Sequence, residues 1–237
     1  MENKFIFDVD GTLTPSRRGM DAEFQNFFLD FCYANKVYLI TGSDNPKTVE
    51  QVGEDVATAV QRIYNCSGND IWEAGVNVHT SEWNLPEDPH QWLSKILSES
   101  QFSLRTGLHF EHRPGMVNFS IVGRNANNEQ RKMYVAWDEK YNERNNIAGQ
   151  FNAIFPELEA RPGGETGIDI APKGADKSQI VKDFSTTDVL HFFGDRMDKD
   201  GNDYPLKKVI IDNDLGICYN VNSWLETFKI LEKIHYD

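Results

Sequence analysis

A short apolar run near the start of the chain ends in two aspartates and a glycine (FIFDVDGT, residues 5–12). Continuous apolar runs of this length are typical of the buried strands of parallel sheets. A strand that alternates faces would point Asp8 and Asp10 the same way, and adjacent carboxylates repel each other unless a positive group neutralises them. The segment therefore predicts a buried strand with chemically active groups at its carboxyl end.

The residues that follow alternate between helix and strand patterns. Residues 20–34 place methionine and phenylalanines at helical spacing, residues 36–43 are strand-like, and a helix is expected from Pro46 to about Val60. Strand, helix, strand and helix in succession are typical of a parallel sheet with right-handed crossovers. The sequence therefore predicts an α/β fold.

The character of the chain changes in its middle third. Residues 82–90 contain two prolines and predict a linker, and residues 108–122 predict a hairpin around an Arg-Pro-Gly turn. Residues 127–148 predict a polar helix, and residues 163–171 predict a strand. We interpret residues 83–171 as an inserted α+β domain.

The elements of the first domain resume after Lys173-Gly174, and residues 1–82 and 172–237 together would form a Rossmann-like core with a parallel sheet. The elements expected in its second part are a helix over 175–184, a strand over 188–193, a strand over 208–211 and a helix over 221–234.

Composition excludes some partners. The chain has 237 residues, 39% of them hydrophobic, and a formal net charge of -13. A globular protein this acidic is not expected to bind nucleic acid, which normally requires a basic face. No apolar run approaches the length of a membrane span, so no membrane partner is expected. The three cysteines are scattered and odd in number, which favours free thiols and a cytoplasmic location.

Polar side chains follow three of the expected strands. Asp8 and Asp10 follow the first, Thr41 and Ser43 the second, and Asp195 the strand over 188–193. Ligands of open parallel sheets bind at the carboxyl ends of the strands. Oxygens of Asp8, Asp10 and Asp195 together would hold a hard cation, for which Mg²⁺ is the usual choice.

The two adjacent aspartates suit phosphoryl chemistry. A carboxylate beside Mg²⁺ can attack phosphorus, and its partner two residues on can protonate the leaving oxygen. We interpret Asp8 as the nucleophile and Asp10 as the general acid and base, with Thr41 and Ser43 as donors to phosphate. An isolated Asp-x-Asp could equally be a turn cap, but the ordered set that also contains Lys177 favours catalysis.

These motifs resemble, in order, the haloacid dehalogenase (HAD) superfamily of phosphotransferases, and the insertion resembles its C2-type cap. Four segments resemble the eukaryotic-type phosphomannomutases in order and spacing: DVDGTLTPSR, FEHRPGMVNFSIVGRNANNEQR, GGETGIDIAPKGADKS and FFGDRMDKDGNDYP. The resemblance runs from residue 5 to about 204. It implies a HAD-like catalytic core over residues 1–82 and 172–237, with a substrate-specificity cap over 83–171.

The resemblance also implies roles for individual core residues. Asp8 would carry the phosphoryl group as an aspartyl-phosphate, Asp10 would shuttle protons, and Lys177 would neutralise the transferring phosphoryl group. Mg²⁺ would be bound by Asp8, Asp195 and the backbone carbonyl of Asp10. For Asp203 two roles stay open, contact with the metal or hydrogen bonds that brace its loop.

Substrate contacts are implied in both domains, beginning with Arg17 in the core. Guanidinium groups bind phosphate bidentately, so Arg113, Arg124 and Arg131, all on one insertion of an acidic protein, also favour a phosphate site by themselves. The family has a serine where this chain has Gly167. In the cap, the resemblance implies that Arg113, Arg124 and Arg131 bind the distal phosphate and that Asp169 binds the sugar hydroxyls. Asn118, in the strand between Arg113 and Arg124, would assist them.

The activity implied is that of a Mg²⁺-dependent phosphomannomutase acting on mannose phosphates, and activity on glucose phosphates stays open. Hexose 1,6-bisphosphate would be its activator, and the protein would be a homodimer that forms through the cap. Two alternatives stay open: a sugar-phosphate phosphatase with the same Asp8 and Asp10 chemistry, and a catalytically silent module that binds a sugar phosphate.

Overall fold

The computed structural model describes residues 2–15, 18–199 and 201–236, with the backbone only at residues 235 and 236. The chain divides into two compact units, which we call the core unit (Met1–Thr80 and Gly174–Asp237) and the inserted unit (Ser81–Lys173). Across the described ranges, no helix combines the length and the apolar composition needed to cross a bilayer.

Strands and helices alternate along most of the chain. The described strands are β1 (Asn3–Phe7), β2 (Lys36–Ile40), β3 (Arg62–Asn65), β4 (Asp70–Glu73), β5 (Val76–Thr80), β6 (Phe110–Arg113), β7 (Met116–Phe119), β8 (Leu158–Gly163), β9 (Gly167–Pro172), β10 (Val189–Gly194) and β11 (Gly216–Asn220). The described α-helices are α1 (Ala22–Ala34), α2 (Asn45–Val52), α3 (Glu54–Ala59), α4 (Glu87–Glu99), α5 (Asn128–Tyr141), α6 (Glu143–Ile154), α7 (Tyr204–Asp212) and α8 (Trp224–Tyr236).

The core unit contains a seven-stranded sheet in the order β11-β10-β1-β2-β3-β4-β5. The first five strands of this order pair in parallel, and β4 and β5 add an antiparallel edge. The expected α/β fold with a parallel sheet is therefore confirmed. Because β10, β1 and β2 are parallel neighbours, the residues that follow them lie at the same edge of the sheet.

Helix α1 anchors the strand that carries the aspartates. The carboxylate of Asp21 caps the helix by accepting hydrogen bonds from the backbone N–H groups of Glu23 and Phe24 at 3.0 and 3.2 Å. Phe28, one turn further on, is buried and meets the ring of Phe7 edge to face at 5.1 Å. Such a contact contributes about 0.5–1.5 kcal/mol beyond the buried area, and it fixes the end of β1.

Two single helices expected from the sequence are each a pair of helices. The helix expected from Pro46 to Val60 is divided into α2 and α3 at Gly53, whose φ is +87°. The helix expected over residues 127–148 is divided at Asn142, whose φ is +53°. In both places helical periodicity continues across one residue in the left-handed region, so the pattern alone does not show the break.

Two further expectations were wrong. The strand expected over residues 208–211 lies inside α7, where Leu206 and Ile210 are buried four residues apart, because a short apolar run does not distinguish strand from helix. The linker expected over residues 82–90 is shorter, since α4 begins at Glu87 and a proline is tolerated in the first turn of a helix.

The inserted unit contains a four-stranded antiparallel sheet in the order β6-β7-β9-β8. The hairpin expected over residues 108–122 is confirmed as β6 and β7. One face of the sheet packs on the helices through buried apolar residues such as Phe119, Ile168 and Ala160. Because side chains alternate along a strand, the residues between these point to the opposite face.

Candidate active site

Carboxylates meet where two parallel strands of the core unit end. Asp8 follows β1, Asp195 follows β10, and Asp203 directly precedes α7. One carboxylate oxygen of each lies within 4.8 Å of the others, and we call these three residues the acidic group. Asp8 and Asp203 are buried, and Asp195 is half-buried.

Lys177 is fully buried and binds two members of the acidic group. Its Nζ donates to Asp8 Oδ1 at 2.6 Å and to Asp203 Oδ1 at 2.7 Å. The lysine is the first residue of a 3₁₀ helix, Lys177–Asp183, which lies where a helix was expected over 175–184. Lys177 thus joins the first strand to the loop before α7.

The acidic group carries more negative charge than Lys177 neutralises. Burial raises the pKa of Asp8 to about 8; the charge of Lys177 opposes this shift, and the neighbouring Asp203 adds to it. Burial likewise raises the pKa of Asp195, with Asp203 as the next cause. For Lys177, burial opposes protonation, but the two carboxylates outweigh it and its pKa is raised.

This donor set fits a hard divalent cation. Carboxylate oxygens are the ligands that Mg²⁺ prefers, and one or two carboxylates with water are its usual protein shell. A cation among Asp8, Asp195 and Asp203 would relieve the repulsion and desolvation that raise the pKa of Asp8.

Two glycines leave room for the acidic group. Gly11 has a φ of +82°, and a Cβ there would lie 2.3 Å from Asp195 Oδ2. A Cβ on Gly194 would lie 2.6 Å from Asp203 Oδ2. The glycines of the DVDGT and FFGD segments are therefore required by the approach of the carboxylates.

The structure places Asp203, rather than the carboxylate of Asp10, beside Asp8 and Asp195. Asp203 also braces its loop, because its Oδ2 accepts a hydrogen bond from the backbone N–H of Arg196 at 3.0 Å. Both roles left open for Asp203 by the sequence are thus compatible with its position.

Asp10 is held by a residue that sequence reasoning missed. Gln51, on α2 and only 2% exposed, donates from Nε2 to Asp10 Oδ1 at 2.8 Å and to Thr14 Oγ1 at 3.3 Å. Its Oε1 is buried with no hydrogen-bond partner among the described residues. A single polar residue at the end of a helix carries no motif, so nothing in the sequence pointed to it.

Thr41 and Ser43 follow β2 at the same edge of the sheet. Thr41 is buried, and its Oγ1 accepts a hydrogen bond from the backbone N–H of Ser43 at 3.1 Å. Arg17 lies outside the described residues.

A polar row crosses the sheet of the inserted unit. The strand registers pair Glu111 with Asn118, Asn118 with Asp169, and Asp169 with Arg161. Directly paired residues point to the same face, which here is the face opposite the buried apolar residues. Asn118 Nδ2 donates to Asp169 Oδ1 at 2.6 Å, whereas Asn118 Oδ1 is buried without a partner among the described residues.

Two of the three expected cap arginines share one carboxylate. Arg113 donates from Nε and Nη2 to Glu111 Oε1 at 3.1 and 2.9 Å, and Arg124 donates from Nε to Glu111 Oε2. Arg131 instead pairs with Glu165 at 2.8 Å. The structure thus brings Arg113 and Arg124 to one carboxylate and gives Arg131 a different partner.

Glycines also make room for the polar row. A Cβ on Gly167 would lie 2.4 Å from Asn118 Nδ2, and a Cβ on Gly163 would lie 2.0 Å from Asp169 Oδ2. Gly167, at the position where the family that this chain resembles has a serine, therefore leaves the space that the amide of Asn118 fills.

The fold and the acidic site define a HAD-like protein. A solved haloacid dehalogenase-like hydrolase from Bacteroides thetaiotaomicron has a TM-score of 0.60 to this chain, covering 99% of this chain and 100% of its own at 10% sequence identity. A likeness at that identity concerns the fold alone.

Sequence comparison is more specific. The model of the eukaryotic phosphomannomutase family matches residues 24–237. A phosphomannomutase from Saccharomyces cerevisiae is 30% identical over 98% of this chain and 94% of its own length. One from Arabidopsis thaliana is 29% identical over 85% of each chain. The chain belongs to the eukaryotic phosphomannomutase family and is an enzyme of this kind, which confirms the resemblance inferred from its motifs.

Proposed function

We propose that the protein is a Mg²⁺-dependent phosphomannomutase that interconverts mannose 1-phosphate and mannose 6-phosphate, with glucose phosphates as further substrates. The observation that carries this proposal is the buried Asp8, bonded to Lys177 and grouped with Asp195 and Asp203 in a chain of this family. The core unit would be the catalytic core, and the inserted unit would be the substrate-specificity cap.

Asp8 would act as the nucleophile. Its Oδ1 accepts a hydrogen bond from Lys177, and its Oδ2 has no hydrogen bond to the described residues. Attack of a carboxylate oxygen on phosphorus forms an aspartyl-phosphate and breaks the bond to the sugar oxygen. Asp10 would give its proton to that oxygen, with Gln51 holding its carboxylate in place.

The remaining core groups would neutralise the phosphoryl charge. The acidic group and the carbonyl of Asp10 would hold Mg²⁺, which supplies positive charge beside the transferring group. Lys177 adds a second positive charge, and the hydroxyls of Thr41 and Ser43 would donate to phosphoryl oxygens.

Turnover would start from phosphorylated Asp8. Asp10 would remove the proton from the free hydroxyl of a hexose monophosphate, and this hydroxyl would take the phosphoryl group from Asp8 to give a hexose 1,6-bisphosphate. The bisphosphate would reverse its orientation, and Asp8 would attack its other phosphate, which releases the isomeric monophosphate and restores the aspartyl-phosphate without loss of phosphate. The same bisphosphate, added from solution, would phosphorylate Asp8 and so act as the activator.

The inserted unit would bind the phosphate that is not being transferred. Arg113 and Arg124 offer guanidinium groups for this phosphate. Asp169 and the unpartnered Oδ1 of Asn118 would accept hydrogen bonds from sugar hydroxyls. We propose roles in substrate binding for Arg17 and Arg131 as well, on the resemblance alone.

We propose a hexose phosphate as the binding partner, and we propose no binding to nucleic acid or to a membrane. The proposal extends to a homodimer that forms through the inserted unit and to a cytoplasmic location. The absence of disulfides is typical of a reducing compartment, and Cys32, Cys66 and Cys218 form none among the described residues.

A product assay by ³¹P NMR tests the proposed function. Wild-type protein receives Mg²⁺, mannose 1-phosphate and a trace of glucose 1,6-bisphosphate. The expected result is a 6-phosphate signal with little inorganic phosphate. Inorganic phosphate without a 6-phosphate would contradict the proposal in favour of a phosphatase, and an unchanged substrate would favour a binding module.

A further inference from the structure

One carboxylate of the inserted unit contacts both of the arginines that we assign to phosphate. Glu111 lies on β6, and its two oxygens accept hydrogen bonds from Arg113 and Arg124. Arg113 is on the same strand two residues on, and Arg124 lies beyond β7, where its backbone N–H is bonded to Leu108 O at 2.6 Å. Glu111 thus joins a strand residue to a loop residue.

The arginines keep enough donors for a phosphate while they are bonded to Glu111. A guanidinium has five N–H donors. Arg113 uses Nε and Nη2 on Glu111 and keeps its Nη1 group, and Arg124 uses Nε and keeps both terminal nitrogens. Among the described residues these free donors have no other acceptor. A phosphate can therefore bind to these remaining N–H groups of the two arginines without displacing the carboxylate of Glu111.

Glu111 also offsets repulsion between the two guanidinium groups. Each side chain remains about a third exposed, and without a shared anion the two cations would separate into solvent. The glutamate is ionised at neutral pH, since hydrogen bonds from Arg113 and the charges of both arginines outweigh burial and lower its pKa.

We propose that Glu111 is a positioning residue that holds Arg113 and Arg124 together as one phosphate-binding pair. This inference rests on the proposed function, because it concerns the phosphate that is not being transferred. The opposite role is a competitor: a carboxylate that occupies the place of the phosphate and must be displaced. The two roles predict effects of opposite sign when the charge is removed.

The test compares Glu111→Gln with Glu159→Gln in the full-length protein. Glutamine keeps the size of the side chain but removes its charge and one of the two acceptor oxygens. Glu159 lies on the same face of the same sheet, on β8, and pairs with Arg161 at 2.6 Å. Its variant removes an equal charge without contact to Arg113 or Arg124, so it controls for the general electrostatics of anion binding.

We expect Glu111→Gln to raise KM for mannose 1-phosphate about tenfold or more, with kcat changed less than about twofold. Glu159→Gln should leave KM unchanged or slightly lowered. Cleavage of acetyl phosphate, which has no second phosphate, should be the same in both variants and the wild type.

An unchanged or lowered KM in Glu111→Gln, or equal effects of the two variants, would overturn the inference. If Glu111→Gln unfolds at lower denaturant than the wild type, Glu111→Asp gives the same test: it keeps the charge but is too short to reach both arginines, and its KM should also rise. A wild type without mutase activity would overturn the proposed function instead, so the two failures are distinguishable.

Discussion

The two units hold their charged side chains in different ways. The core unit buries its charged groups: Asp8 is 3% exposed, and Asp203 and the lysine that pairs with both, Lys177, are fully buried. In the inserted unit, Arg113 and Arg124 pair with Glu111 near the surface, and their side chains are 34% and 28% exposed. Buried ions are costly to leave unpaired, whereas exposed pairs contribute little to stability.

This difference predicts which properties a substitution changes in each unit. In the core unit, chemistry and stability depend on the same contacts, so both should change together. In the inserted unit, substrate binding should change while stability does not.

The largest effect is expected from Asp8→Asn. The amide is a poor nucleophile toward phosphorus, so mutase activity should fall by at least about 10⁴-fold in the ³¹P NMR assay. Asp30→Asn, on the exposed side of α1, is the matched control and should keep full activity. Retained activity in Asp8→Asn would show that the acidic group is not the reaction centre.

Lys177→Met should lower both activity and stability. It leaves Asp8 and Asp203 buried without their cation, which costs about 3–5 kcal/mol in the free energy of unfolding. Urea unfolding in Mg²⁺-free buffer measures this cost. Lys182→Met, exposed on the same 3₁₀ helix, should change neither quantity. A Lys177→Met protein as stable as the wild type would contradict the prediction that stability and activity of the core unit depend on the same contacts.

Arg113→Ala should raise KM about 10- to 100-fold and leave the free energy of unfolding within about 1 kcal/mol of the wild type. Its pair with Glu111 is partly exposed, so little stability is lost with it. Steady-state kinetics and urea unfolding give the two numbers. Lys95→Ala, exposed on α4 of the same unit, is the control for loss of a positive charge. Loss of stability without a change in KM would show that Arg113 stabilises the inserted unit and does not bind substrate.

The smallest effect is expected from Gly167→Ser. The new Cβ would collide with the amide of Asn118, so the bond from Asn118 to Asp169 should weaken. A loss of one such hydrogen bond predicts a rise in KM of about 3- to 15-fold. Gly149→Ser, at an open position on α6, should leave KM unchanged. An unchanged KM in Gly167→Ser would exclude Asn118 from sugar recognition.

The core site was easier to predict from the sequence than the polar row. Asp8 and Asp195 each follow an apolar strand, and parallel topology brings such strand ends together whatever the rest of the fold. Gln51 was missed because it meets Asp10 through the packing of a helix on the sheet, 41 residues away in sequence. Packing of that kind leaves no local pattern.

Which side chains of the inserted unit lie beside each other depends on the register of its strands, and the sequence indicates register poorly. β8 was not expected, so the pairing of Arg161 with Asp169 could not be predicted. Glu111 had one usable signal, since residues two apart on a strand share a face and Arg113 was already a candidate. The partner of Arg131, Glu165, lies 34 residues away and follows from the tertiary fold alone.

The central claim is that Asp8 carries the phosphoryl group. The direct measurement is peptide mass spectrometry of protein mixed with Mg²⁺ and glucose 1,6-bisphosphate and quenched in acid, which preserves acyl phosphates. We expect one phosphoryl group, on the peptide that contains Asp8, and none in Asp8→Asn. A phosphoryl group on another residue, or turnover with no phosphorylated peptide at any time, would contradict it.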